Sequence, residues 1–226
     1  MSTLQLAQML DIRPGVTAII GSGGKTTLML TLARELAQGA RVIVTTTTHI
    51  LPPEGIPCVL SSSPEEIRQA FAEHKIVCVA SKTPVGKLAM PELDFEALLQ
   101  LADFVLVEAD GSRRLPIKAH APYEPVIPPC ANQTILVLGL SGLMQPIRES
   151  VHRPELYAGK LGVRMDEIVT PELAARLIEL EALHTRVFLN QADTPERAAF
   201  GVRLAEALSC PVCMGALEKG DAVCLS

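Results

Sequence analysis

The stretch that most constrains this chain is Val16 to Gln38, VTAIIGSGGKTTLMLTLARELAQ, where an apolar strand meets a glycine-rich turn and then a helix. Val16-Thr17-Ala18-Ile19-Ile20 reads as a strand buried on both faces, as in a parallel sheet, and it stops where Gly21-Ser22-Gly23-Gly24 begins. Without Cβ atoms in the way, successive N–H groups of the turn can point inward at a polyphosphate, and the positive end of the following helix adds to the attraction. Lys25 supplies a full positive charge for the β- and γ-phosphates, the Thr26 hydroxyl can ligate Mg²⁺, and Thr27 can bond the α-phosphate. Gly21, Ser22, Gly23, Gly24, Lys25, Thr26 and Thr27 are thus the expected nucleotide-binding residues, with ATP or GTP and Mg²⁺ as ligands. Leu28, Leu32 and Leu36 share one face of the helix, and Gly39 stops it.

The residue five before Gly24 is Ile19, where the common phosphate-loop pattern has glycine, so this loop is two residues shorter. That compact G-x-x-G-K-T-T form resembles the central domain of the Mur-type amino-acid ligases more than the usual ATPase or GTPase loop. The competing reading, a glycine-rich helix start with a solvated lysine, leaves the agreement of strand, glycines, Lys-Thr-Thr and apolar helix unexplained.

With 226 residues, 48% hydrophobic but only 3% aromatic, the chain suits one domain, 1–226, whose core is built from Leu, Val, Ile and Ala. An α/β, P-loop NTPase-like fold follows, with a mainly parallel sheet covered by helices on both faces. The net charge of −5 offers no long-range attraction to nucleic acid or anionic lipid. No apolar run approaches the ~18 residues of a membrane helix, and Met1 to Leu10 lacks the pattern of a signal peptide, so a cytoplasmic protein with reduced cysteines is expected. Of its six cysteines, Cys210 and Cys213 form the one close pair, which without a second pair is weak evidence for zinc or a redox role.

Arg41 to Val44 reads as a second strand, next to the first, running into Thr45-Thr46-Thr47-Thr48-His49. Open parallel sheets keep their ligands at that carboxyl edge, so Thr46 is a candidate for the metal or its water shell. Phe104 to Val107 is a buried strand that ends in Glu108 and Asp110. A phosphate-loop enzyme uses such an acid on the Mg²⁺ shell or the attacking group, which makes Lys25, Glu108 and Asp110 the catalytic candidates and Thr26, Thr46 and Glu108 the metal candidates. Arg113 and Arg114 follow, either of them able to stabilise charge on a γ-phosphate. The proline-rich stretch Leu115 to Pro129 then offers Lys118 and His120 to a substrate.

At GSGGKTT (Gly21–Thr27), TTTTHI (Thr45–Ile50), VEADGSR (Val107–Arg113) and LPIKAHAPYEPVIP (Leu115–Pro128) the chain resembles the selenium-dependent hydroxylase accessory proteins of YqeC type. The resemblance implies a nucleotide-dependent role in maturing selenium-dependent molybdenum hydroxylases, with such an enzyme or its molybdenum cofactor as partner.

Three sites, Ser63-Pro64-Glu65, Thr170-Pro171-Glu172 and Thr194-Pro195-Glu196, read as helix starts. Leu6, Met9 and Leu10 suggest a helix from Ser2 to Leu10; Leu173, Leu177 and Leu180 mark a later one, and Ala198, Val202 and Ala205 the inner stripe of another. Ser81 to Met90 reads as a loop with two lysines, either a basic lid or plain surface. Asn190 and Asp193 close a strand at the separation of the guanine-reading Asn-Lys-x-Asp element of GTPases, with Gln191 in place of lysine. Two alternatives stay open beside an NTP-driven maturation factor: an ATP-dependent ligase or kinase acting on a small substrate, and a nucleotide-switched docking protein without chemistry of its own.

Overall fold

The computed structural model describes residues 6–61 and 63–225. Nine strands form the main sheet. Seven parallel neighbours of Val- and Ile-rich sequence are β1 (Gly15–Gly21), β2 (Val42–Thr46), β3 (Cys58–Val59), β4 (Ile76–Val79), and, after the hairpin β5 (Ser81–Lys82) and β6 (Leu88–Ala89), β7 (Phe104–Glu108), then β9 (Ala131–Gly139) and β11 (Arg186–Asn190). An eighth parallel strand, β12 (Val212–Ala216), is closed by the antiparallel β13 (Asp221–Cys224). A separate parallel pair joins β8 (Ile117–Lys118) to β10 (Val151–His152).

The order across the sheet is β13-β12-β11-β9-β1-β7-β2-β4-β3. The phosphate-loop strand is therefore flanked by β9 and by the acid-bearing β7, and β2 pairs with β7, not with β1. The expectation that Thr45–Thr48 follow a strand adjacent to the first is corrected by this insertion. Strand order is a choice among crossovers, and the apolar runs of β2 and β7 are equally suited to the place.

The helices are α1 (Leu6–Met9), α2 (Lys25–Leu36), α3 (Pro64–Glu73), α4 (Phe95–Leu99), α5 (Ile147–Ser150), α6 (Pro154–Leu161), α7 (Pro171–Glu181) and α8 (Pro195–Glu206). Alternation along β1 splits the core. Ala18 and Ile20 face a cluster that takes in Leu177 and Ile178 of α7 and Leu204 of α8, and Val16 on the same side faces Ile67, Phe71, Phe95 and Leu98 of α3 and α4. Ile19 points to the other side, against Leu6 and Leu10 and the Leu28, Met29 and Leu32 face of α2. The outcome is a helix–sheet–helix sandwich with helices on both faces.

Ser63, Thr170 and Thr194 each accept a hydrogen bond from the residue three further on, so all three expected helix starts are N-caps with proline at the first turn. Two helix stripes differ from expectation. Leu180 is 58% exposed and Val202 41%, while Ala174, Ala175 and Ile178 in α7 and Gly201 and Leu204 in α8 are buried. The inner faces are rotated from the expected stripes because α7 and α8 pack on each other as well as on the sheet, so closely that a Cβ at Gly201 would stand 2.3 Å from Met214 Sδ. Ser81 to Met90 is a β-hairpin whose buried Leu88 bridges to Ile50. Of the expected N-terminal helix, Ser2 to Gln5 lie outside the described residues. No described helix is long and apolar enough to cross a membrane.

Candidate functional site

The glycine turn sits at the carboxyl edge of β1, pressed onto the end of β9. Gly23 has φ +85°, and a Cβ there would meet the Gly139 backbone at 2.4 Å from N and 2.5 Å from Cα, so only glycine fits. Ser22 anchors the turn twice, its N–H donating to Val137 O at 2.8 Å and its hydroxyl to Leu115 O. Asn190 holds the far side: its amide donates to Gly23 O at 2.8 Å while its oxygen accepts from Leu217 N–H at 3.3 Å. Both ends of the Asn190 side chain are thus used in fixing the loop against β11 and the turn after β12.

Lys25 is buried beneath this turn. Its ammonium donates to Gly21 O at 2.7 Å and Ser112 Oγ at 3.2 Å, and lies 3.1 Å from Asp110 Oδ1 and 3.9 Å from Glu108 Oε1. Thr26 and Thr27 are exposed on the first turn of α2, at the open edge. The Thr26 hydroxyl donates to Glu108 Oε2 at 2.7 Å, so Thr26 and Glu108 offer a hydroxyl and a carboxylate side by side. Thr46 donates its hydroxyl to the Glu108 carbonyl at 2.8 Å and accepts from Thr48 N–H at 2.9 Å, which steadies the main chain that carries Glu108.

The two acids of the Glu-x-Asp pair have separate environments. Burial pushes the Glu108 carboxyl above the usual range, only partly offset by Lys25 and by the Thr26 hydrogen bond. Burial acts on Asp110 in the same sense but is outweighed by a hydrogen bond from His120 and the charges of Lys25 and Lys118, which hold that carboxyl well below the usual range. Asp110 accepts from Gly21 N–H at 2.9 Å, bonds His120 Nε2 at 2.8 Å and pairs with the Lys118 ammonium at 3.0 Å. It is the hub of the buried network.

His120 lies between two carboxylates, with Nδ1 2.5 Å from Glu181 Oε2 and the opposite nitrogen on Asp110. Burial disfavours its charge, but the hydrogen bonds to Asp110 and Glu181 prevail and raise its pKa, favouring the doubly protonated ring. Glu181 is closed off by Lys160 at 2.6 Å and by His120 N–H at 2.9 Å. Lys118 donates to Gly111 O at 2.5 Å and forms ion pairs with Asp110 at 3.0 Å and Glu124 at 2.9 Å. Lys118 and His120, expected to face a substrate, lie under the loop at 5% and 2% exposure, with their donors committed to protein. Glu181, Lys160 and Glu124 were not visible as site residues in the sequence; they reach the network from α7, α6 and the proline-rich stretch, with no local motif to mark them.

Arg113 and Arg114 are exposed on the loop that leaves Asp110, with φ +48° and +63°. Burial lowers the pKa of His152, and the charges of Lys118, Arg153 and Arg113 act in the same sense against that of Glu124. Arg153 spans Glu124 at 3.1 Å and the Tyr123 hydroxyl at 2.9 Å. Asp193 pairs with Arg197 at 3.0 Å and borders an open cavity of about 400 Å³ lined also by Pro195, Met214, Ala216 and Lys219. His49 is exposed.

No group of three or more His, Cys, Asp or Glu placed to share a metal occurs among the described residues. Thr26 and Glu108 offer oxygen alone, which suits Mg²⁺ completed by water and phosphate. Residues 17–155 match the family described as YqeC protein. Over 180 residues the chain is 38% identical to a protein of Escherichia coli (strain K12) described as "Uncharacterized protein YqeC", covering 76% of this chain and 68% of the relative.

Proposed function

The chain belongs to the YqeC family, and we propose that it is a Mg²⁺-dependent nucleoside-triphosphate-binding and hydrolysing accessory protein that serves the maturation of selenium-dependent molybdenum hydroxylases. The observation that carries the nucleotide reading is the pairing of a glycine turn whose first N–H and lysine are both fixed by buried Asp110 with a neighbouring Thr26–Glu108 oxygen pair at the open edge. The accessory role rests on the resemblance of the four motif stretches.

In this reading Lys25 binds the β- and γ-phosphates from its position beneath the turn, exchanging contacts with Gly21 O and Ser112 for phosphate oxygens. Asp110 keeps the lysine aimed and the Gly21 amide in place. Thr26 and Glu108 would hold Mg²⁺, which supplies neutralisation of charge building on the phosphates. A carboxyl whose pKa burial has raised, as at Glu108, favours a cation beside it. Arg113, exposed on the loop that leaves Asp110, would meet charge on the transferred group.

Two measurements test the two halves. Mg²⁺-dependent release of phosphate from ATP or GTP should be lost in Glu108→Gln while nucleotide affinity is retained; equal rates in wild type and variant remove Glu108 from the chemistry. A selenium-dependent molybdenum hydroxylase purified from cells carrying Lys25→Ala in place of the wild-type chain should have lost activity and selenium. An unchanged enzyme would end the accessory reading while leaving nucleotide binding intact.

A further inference from the structure

In the sequence Cys213 has Cys210 as its near neighbour, but the fold gives it another. β12 and β13 pair antiparallel with Cys213 opposite Cys224. Leu225 N–H donates to Val212 O at 2.9 Å, which makes the adjacent Val212/Leu225 position the hydrogen-bonded one. Cys213/Cys224 is therefore a non-hydrogen-bonded pair, where antiparallel strands approach to about 4.5 Å between Cα atoms and opposite side chains are closest. That separation lies inside the ~4.4–6.8 Å span of disulfides. The two Sγ atoms are 3.0 Å apart, and both lie against Met9 O, at 3.5 and 3.6 Å.

The pair is also asymmetric. Cys224 is exposed on the edge strand, whereas Cys213 is buried. We propose that Cys213 and Cys224 form a reversible disulfide site, closed by exchange with a low-molecular-weight disulfide and reopened by a dithiol reductant. The Cys224 thiolate attacks one sulfur of the small disulfide, forming a mixed disulfide and expelling the first small thiolate. Cys213 then loses its proton and attacks Cys224 Sγ, forming the Cys213–Cys224 bond and expelling the second. Two protein thiols are oxidised and one small disulfide is reduced to two thiols. Cys224 is the exposed partner, and burial and the Cys224 contact push the buried Cys213 thiol up to about 12, which together favour this order of attack.

The bond would fasten β13, an edge strand whose one partner in the sheet is β12, and both strands line the cavity that Asp193 borders. Closing the pair thus sets one wall of that cavity without touching the phosphate loop.

The test equilibrates the intact protein with oxidised glutathione and maps its peptides. Mapping separates this pair from Cys58, whose thiol is drawn down to about 7 by its contact with Cys78. The expected product is a Cys213–Cys224 linked peptide that dithiothreitol reverses. In Cys213→Ser, glutathione should stay on Cys224, and in Cys224→Ser no link should form. Glutathione persisting on Cys224 in the wild type, a bond from Cys210 to either partner, or no reaction at Cys224 would each overturn the proposal. Hydrogen exchange gives a second reading: the β13 amides should slow in the oxidised protein, and unchanged exchange contradicts the clamp.

Discussion

Asp110 gathers Gly21 N–H, Lys25, Lys118 and His120 around one buried carboxylate, while Glu108, two residues earlier, has Thr26 as its one short side-chain partner. Their pKa directions predict opposite consequences of neutralisation. Asp110→Asn removes a carboxylate held low by its partners and should cost about 3 kcal/mol, as breaking a buried ion network does. Glu108→Gln removes a carboxylate that burial holds high, and it should raise the melting temperature while abolishing turnover. Thermal melts of both variants at neutral pH check this, and a destabilised Glu108→Gln would contradict it.

The His120 ring sets a pH limit. Its raised pKa makes a contribution that is full below the ordinary histidine value and is lost as pH rises through the raised one; those of Asp110 and Glu181 are present above ordinary carboxylate values and are lost as pH falls through the lowered ones. Melting temperature should therefore decline on the alkaline side of neutrality, and His120→Gln should be less stable at pH 6 and show a weaker alkaline decline. A variant with the wild-type profile would place the limit elsewhere. Lysine, threonine and acids were legible at this scale because a phosphate-loop turn has a local pattern. The support from Glu181 and Lys160 was not, since it lies 61 and 40 residues from His120.

At the scale of elements, the glycine turn tolerates no side chain where it crosses β9. Gly23→Ala must displace the Gly139 backbone and adopt a positive φ, so it should weaken nucleotide binding at least tenfold by calorimetry; wild-type affinity would show that the turn can move. Thr194→Ala removes the α8 N-cap and should cost about 1 kcal/mol in denaturant melts, with nucleotide affinity unchanged. Caps, strands and the acid-bearing edge were readable because each is written in a few adjacent residues. The hairpin of Ser81–Met90 and the inner face of α7 were not, because they depend on Leu88 reaching Ile50 and on where α8 packs against α7. The antiparallel β13 has an exposed, mixed sequence without the apolar run that marked its neighbours.

Across the whole molecule, parallel order brings the ends of β1, β7 and β2 to one edge, and the α6–α7 region closes the network from below. Composition was enough to forecast a helix-covered parallel sheet, whereas the insertion of β7 between β1 and β2 is what puts Glu108 beside Thr26 and Thr46 at once. The same layout puts the Asp193 cavity toward the β12–β13 edge, with Asn190 between it and the loop. The most direct test is calorimetric titration of the intact chain with ATP and with GTP in Mg²⁺, using Lys25→Ala as the control. Saturable binding in the wild type, lost in the variant, is the predicted result. No binding of either nucleotide, or equal binding by Lys25→Ala, would contradict the assignment of Gly21–Thr27 as a nucleotide-binding loop.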